Sequence, residues 1–574
     1  MTTMLTADRV RAETPAGDPR RAMLALARFE AVRLLRHPVT IAGLLLFGAA
    51  EAYGWVSGAN GYPVLQEEDW SKQFLAMLVL GGAALIAVNL AALRSSRQAT
   101  DALFDTLVLP DPWRTGGFLL SVLPFGGVVA VLVTVRIGAL AAVPGAAGRP
   151  NLFELALYPA SVLLLGAAGV LLAQLSRAVI VAPLLLLVLP VLTLAAALRT
   201  LPGGSRTGWL LPVSFDEPPM PMPVVLMARP AGWHLAYVAG LIVLVATAAL
   251  AVARAGERRR LASTAGNRPA GAGPVRPAAG AGEPRPSAVG AGRRRLLVAG
   301  ATGLTIAVLA GTAQFLPMSD EVRAARATAA EHPARLQTCR QIDQVAYCAF
   351  GGFGSWIEGW DTVVRGVLRG VPDDQARQPL AVRQRVSTET RLVDGRSWSA
   401  EEQAADVAAW RKVDAGAGTP NAVTVGTRWG DPLSEVAFAG LVAYEVVVRG
   451  GAQADGRRAE AASGQLCGAR GVLAAWLAGQ ATPRATEGLH EADATSSGGV
   501  TFGDPEFPVA MSVPDREMAV ALAMLKRPAG EVAGVIRQSW AEWVAKGTPT
   551  ERAGELAGVP VPPQPPAEER TVCE

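Results

Sequence analysis

Up to Phe315 the chain alternates long apolar runs with short polar segments rich in arginine, and beyond that residue no apolar run has the length of a bilayer crossing. A hydrocarbon core about 30 Å thick takes roughly 20 apolar residues in helix. Seven segments satisfy that length: Pro38 to Val56, Phe74 to Leu93, Gly116 to Val143, Leu152 to Leu175, Ala178 to Leu198, Trp233 to Ala253 and Leu296 to Phe315. The pattern predicts a polytopic α-helical membrane protein, with six spans in residues 38–253 and a seventh at 296–315. Only Ser176 and Arg177 separate the fourth and fifth segments, so they form a tight hairpin if both cross. A single bent element is the alternative, and it would invert the orientation of everything that follows.

Residues 1–19 are polar, predict a disordered cytoplasmic N-terminus, and lack the short apolar core and cleavage site of a secretory signal peptide, so the first span is expected to be retained. From Arg20 to His37, Met23, Leu24, Ala27, Ala31, Leu34 and Leu35 recur at helical spacing, with Arg21, Arg28, Arg33 and Arg36 mostly on the other side. That predicts an amphipathic helix lying in the membrane interface, turned into the first span at Pro38. A small cytoplasmic helix packed on a partner would carry the same pattern.

Residues 254–295 are rich in Ala, Gly, Pro and Arg without apolar periodicity, which predicts a disordered basic cytoplasmic linker. Residues 316–574 read as a separate, mixed but mainly α domain. Helices are expected at Asp320 to His332, Pro432 to Val448, Glu460 to Ala478, Asp515 to Leu525 and Gly530 to Lys546. Strand signals occur at Leu380 to Val393 and Ala422 to Arg428, and a hairpin is expected around Asp343 and Gln344.

Charge orients this layout, because basic residues resist translocation. With the N-terminus inside, the cytoplasmic segments carry Arg20, Arg21, Arg28, Arg33 and Arg36, then Arg94, Arg97 and Arg114, then Arg177, and then the arginines of 254–295. The outer segments carry Glu67, Glu68, Asp69, Asp216 and Glu217, with only scattered arginines. Seven spans then deliver residues 316–574 outside. All four cysteines, Cys339, Cys348, Cys467 and Cys573, lie there, and disulfides persist only in an oxidising compartment. Pairing of Cys339 with Cys348 and of Cys467 with Cys573 is expected, one of three possible connectivities. The expected location is the plasma membrane, multi-pass. Trp55, Trp70, Trp113, Trp209 and Trp233 fall near span ends, where an indole favours the headgroup region.

Only 18% of the residues are charged, against about 25% in soluble proteins, and the net charge is +4. The arginines cluster beside spans, where they set topology, so nucleic acid is not an expected partner. A Gly-rich phosphate loop ending in Gly-Lys-Ser/Thr is absent, so the chain carries no ATPase of its own. The histidines His37, His234, His332 and His490 are scattered, and His490-Glu491 has Ala494 where a zinc-binding helix needs histidine. Gly352-Phe353-Gly354-Ser355-Trp356 is not a nucleophile elbow. No catalytic residue, metal ligand or cofactor is therefore expected. Inside the spans, Glu51 and Arg136 stand out because charges in hydrocarbon are costly; they reach similar depths and are candidates for an intramembrane pair, with a role in a translocation path the less favoured reading. Asn89 is expected to bond between helices.

The run Arg28-Phe29-Glu30-Ala31-Val32-Arg33-Leu34-Leu35-Arg36-His37-Pro38 looks like the connecting helix of bacterial type-2 ABC exporter permeases. Ala231-Gly232-Trp233-His234-Leu235-Ala236-Tyr237 is similar to the start of the last core span in actinobacterial members, and Arg94 to Leu107 resembles the cytoplasmic loop that docks the ATPase. The resemblance covers residues 20–254; the seventh span and outer domain are additions to it. It implies a permease that dimerises with itself or a related permease, driven by a separate ABC ATPase subunit, with Arg94, Arg97, Asp101, Asp105 and Arg114 as candidate docking residues. A polytopic receptor or assembly factor, whose outer domain binds a ligand or partner, is the alternative function.

Overall fold

The computed structural model describes residues 18–58, 61–98, 109–200, 206–213, 220–266, 286–387, 399–454, 464–504 and 506–564. Among them six helices are long and apolar enough to cross a membrane: Pro38–Val56, Leu65–Ala92, Asp111–Ala141, Leu152–Leu175, Ala231–Arg260 and Gly292–Ala313. Their outward faces leave Leu45, Leu46, Val131 and Val135 exposed, as an apolar solvent requires.

The bundle begins with α1 (Pro19–Leu35), capped by the Asp18 side chain, and α2 (Pro38–Val56), entered through the extended His37. The second crossing, α3 (Leu65–Ala92), contains a π-helical turn at Met77–Gly81. Its first turn includes Glu67 and Glu68, read from sequence as loop; they belong to the bundle because they find polar partners there. The next, α4 (Asp111–Ala141), breaks at Val122 ahead of Pro124. Helix α5 (Leu152–Leu175) ends where Ser176 becomes extended, and α6 (Val181–Thr200) starts after a five-residue join. The fourth and fifth segments are thus two helices, not one bent element. The stretch Val181–Ala195 is apolar but shorter than the others. It leads back to residues 206–213, where Leu210 and Pro212 bond the start of the next helix.

Helices α7 (Ala231–Gly266) and α8 (Pro286–Ala313) pack closely through small residues: a Cβ on Gly240 would fall 2.6 Å from the Ala307 nitrogen. Both extend into the segment read as a disordered linker, because Glu257, Arg258 and the following arginines are good helix formers. Residues 267–285 lie outside the described part.

In residues 316–564 a four-stranded sheet is ordered β1 (Gln337–Ile342), β2 (Val345–Phe350), β3 (Leu380–Gln384), β4 (Val423–Val425). The first pair is an antiparallel hairpin turning at Asp343, whose φ of 49° suits a tight turn, and the others pair in parallel. A smaller sheet comprises Gly464–Gln465, Met511–Val513 and Val500–Phe502. The helix Gly468–Gly479, which carries the buried Trp476, is almost entirely buried, and Trp356, Trp360 and Trp543 of the same domain are fully buried as well.

Several sequence expectations shift. The helix expected from Glu460 begins only at Gly468, preceded by a short strand, and the one expected at Gly530 to Lys546 breaks at Ser539. Helices Ile357–Leu368, Ala400–Gly416, Pro483–Thr495 and Thr550–Ala557 were not anticipated.

Candidate functional site

One end of the bundle is tied together by buried ion pairs. Arg136, deep in α4, donates through Nε to Glu51 of α2 at 2.7 Å and through a second nitrogen to the Glu68 backbone carbonyl at 2.6 Å, and its third nitrogen meets the Glu68 carboxylate. The structure thus brings Glu51 and Arg136 together and adds a partner that hydropathy could not reveal. Asp69, fully buried, accepts from the Asn151 backbone N–H at 2.6 Å at the start of α5. Gln73 donates to both the carbonyl and the carboxylate of Glu154, and Glu154 accepts from Arg229 at 3.0 Å. The Arg229 guanidinium lies 4.3 Å from the Trp70 ring centre and 5.0 Å from that of Trp209, an arrangement that favours a desolvated cation. Asn89 donates to the Gly169 carbonyl at 3.1 Å, joining α3 to α5.

Helix α8 enters the same network. His234 of α7 sits 2.8 Å from Gln314 through Nδ1 and 3.2 Å from the Pro212 carbonyl through Nε2. A carbonyl can only accept, so in a neutral imidazole Nε2 carries the proton and Nδ1 accepts from the Gln314 amide, turned with its NH2 toward the ring.

The folded domain sits on this end. Val64, Ala147, Met222 and Leu226, from three different interhelical loops, belong to the domain's own hydrophobic core. Gly148 donates to the Gly352 carbonyl at 2.9 Å, Ser355 to Ala146 at 2.7 Å and the Trp356 indole to Gly145 at 2.8 Å. Gly148 has φ +77°, and a Cβ there would fall on the Gln66 side chain, so this approach requires glycine. Arg326 donates to the Leu226 carbonyl at 2.9 Å.

At the opposite end Glu30, buried on α1, receives a forked pair of bonds from Arg94 at 3.0 and 3.3 Å. Asp111, at the start of α4, pairs with Arg114 at 3.1 Å and with Arg260 of α7 at 3.5 Å. Burial, reinforced by the charge of Arg94, holds His37 below its usual pKa. Of the candidate docking residues, Arg94 and Arg114 are therefore engaged in ion pairs, Arg97 is exposed, and Asp101 and Asp105 lie outside the described residues. Glu30 was not a candidate; its sequence signal was a carboxylate inside an arginine-rich amphipathic helix.

In the domain, Cys339 and Cys348 lie directly opposite in the hairpin and form a disulfide. Cys467 is also disulfide-bonded, while Cys573 lies outside the described residues. Asp414 is buried between Arg383 and Arg385, each 2.8 Å away, with Arg385 stacked on Trp410. No group of three or more His, Cys, Asp or Glu side chains able to hold a metal occurs among the described residues. The arrangement is one of paired charges that fix helices to each other, with the folded domain docked at one end of the bundle. Comparison with protein-family models, curated proteins and solved structures gives no significant match.

Proposed function

We propose that the chain is the membrane-embedded permease subunit of an exporter driven by a separate cytoplasmic ATPase of the ABC class. The observation that carries this reading is the Glu30–Arg94 fork, which couples the amphipathic helix α1 to the segment following α3. Those are the two elements that an ATPase would have to move together, and a partly buried, forked charge-assisted pair transmits a push between them without a slack joint. The domain-side belt through Arg136, Glu154 and Arg229 supplies rigid attachment at the far end, so displacement of α1 and α4 tilts whole helices.

The topology proposed with it has seven crossings, α2 to α8, an N-terminus in the cytoplasm and the folded domain outside. Support comes from two sides. The loops at 57–64, 142–151 and 220–230, assigned outside by charge, are those that touch the domain, whereas the arginine-rich elements carrying Arg94, Asp111 and Arg260 meet at the other end. The Cys339–Cys348 bridge fits an oxidising compartment. In this arrangement substrate passes between two permease copies or between this chain and a related one.

The test is recovery of partners from gently solubilised membranes with the full-length chain as bait. Stoichiometric recovery of a subunit with a phosphate-binding loop supports the reading; repeated recovery of the chain with no nucleotide-binding subunit contradicts it.

A further inference from the structure

The end of the bundle away from the domain contains a cavity of about 470 Å³ where α1, α4, α7 and α8 converge. Arg20, Arg254 and Arg295, from three of these helices, line it together with Trp113 of the fourth. Arg254 is fixed by donating to the Gly292 carbonyl at 3.0 Å, which also ties α7 to α8. Asp18, on the rim, already accepts from the Arg20 backbone N–H as the cap of α1. Among the described residues none of the three arginines forms an ion pair. The remaining wall is apolar: Leu296 and Ala299 line the cavity, and the neighbouring Leu297 and Val298 are exposed on α8.

We propose that this cavity binds the phosphate headgroup of an anionic phospholipid, with the acyl chains running along α8. Three guanidinium groups, none of them in an ion pair, outnumber the two carboxylates near them, Asp18 in the cavity lining and Glu257 beside Arg254, and match the oxygens of a phosphodiester through forked, charge-assisted bonds. The volume lies within the roughly 300–1,000 Å³ of small-ligand sites, and an indole at the rim suits the headgroup layer. Basic pockets between membrane helices on the cytoplasmic side are the setting in which anionic headgroups are recognised. A soluble phosphate would satisfy the arginines but leave the apolar wall bare, whereas a lipid covers both. The bound lipid bridges α1 to α8, the helix that carries the domain. The inference rests on this end facing the cytoplasmic leaflet, and does not depend on transport.

The test uses the full-length protein in detergent, titrated with phosphatidylglycerol or with phosphatidylcholine of the same chains and read by native mass spectrometry. The wild type is expected to retain one phosphatidylglycerol about tenfold more tightly than phosphatidylcholine, and R20Q/R254Q/R295Q to lose that preference. The variant R258Q/R259Q removes charge from exposed positions of the same helix outside the cavity and is expected to keep it. Should the triple variant not purify as a single species, R295Q alone is expected to weaken phosphatidylglycerol retention by roughly fivefold. Equal retention of the two lipids, or equal loss in the cavity and control variants, would overturn the proposal. So would displacement of phosphatidylglycerol by inorganic phosphate, which would mark a soluble-anion site. Absence of an ATPase partner would count against the proposed function and leave this lipid result standing.

Discussion

Glu154→Leu removes the carboxylate that holds Arg229 and Gln73 at the start of α5. Both members of the ion pair are buried, with side-chain exposures of 2% for Glu154 and 7% for Arg229. Stripping one partner from a buried pair costs about 3–5 kcal/mol, because the other charge stays desolvated. Part of that cost is offset here: Arg229 keeps its contacts with the Trp70 and Trp209 faces, each contributing about 0.5–1 kcal/mol, and Gln73 keeps its bond to the residue 154 carbonyl. The net loss is about 2–4 kcal/mol. Glu154→Gln preserves the hydrogen-bonding shape without the charge and should lose about 1–2 kcal/mol. In Glu154→Leu/Arg229→Met both charges are gone, and replacing a buried pair by apolar side chains is often close to neutral. Thermal unfolding in detergent, followed by size-exclusion fluorescence with all variants in parallel, should therefore place the double variant well above Glu154→Leu and near wild type. If Glu154→Leu melts with wild type, or the double variant is as unstable as the single, the ionic belt does not hold the helix ends together in the way described.

Glu30→Ala should loosen α1 by about 1–3 kcal/mol and sharply reduce recovery of the ATPase, whereas Glu30→Ala/Arg94→Ala should differ little from either single change in a double-mutant cycle; fully additive losses would deny the coupling. Cys339→Ser should cost the folded domain about 2.5 kcal/mol, the entropy of closing a loop of separation 9, and in the proposed topology maleimide should label the exposed Cys339 in intact wild-type cells only after reduction. Burial pushes the Glu445 carboxyl up to about 7 against the opposing charges of Arg449 and Arg411. Its folded value is raised above the unfolded 4.5, so the native state holds the extra proton across that window and this group's contribution to stability is lost as pH rises through it. Glu445→Gln should flatten the corresponding fall in melting temperature between about pH 5 and 8; an unchanged slope would contradict the assignment.

Six of the seven expected spans were legible because a helix in hydrocarbon must be apolar along its whole length, whereas the fifth falls short of that length at Val181–Ala195. Glu51 and Arg136 were legible for the opposite reason, since each is an exception within such a run. Glu68, Asp69 and Glu154 were not, because they lie at helix ends where a charge is ordinary and only packing shows whether it is solvated or paired. The hairpin around Asp343 was readable from local turn chemistry, and the two cysteines fall in register on its strands. Helix Ala400–Gly416 was missed despite its Ser399 capping box with Glu402, since its apolar stripe is weak. Nothing local could have announced that Val64, Ala147 and Leu226 complete the folded domain's core, a contact between segments more than two hundred residues apart in part. Gly148 shows the same limit: its left-handed backbone has meaning only beside Gln66 and Gly352.

If a nucleotide-binding subunit is recovered with this chain as proposed, ATP hydrolysis by sealed proteoliposomes carrying the two measures the coupling most directly. The two subunits together should hydrolyse ATP at a rate that neither reaches alone, and Glu30→Ala should lower that rate while leaving the isolated ATPase unchanged. Hydrolysis that is indifferent to this chain, or export of cargo that proceeds without any ATPase, would contradict it.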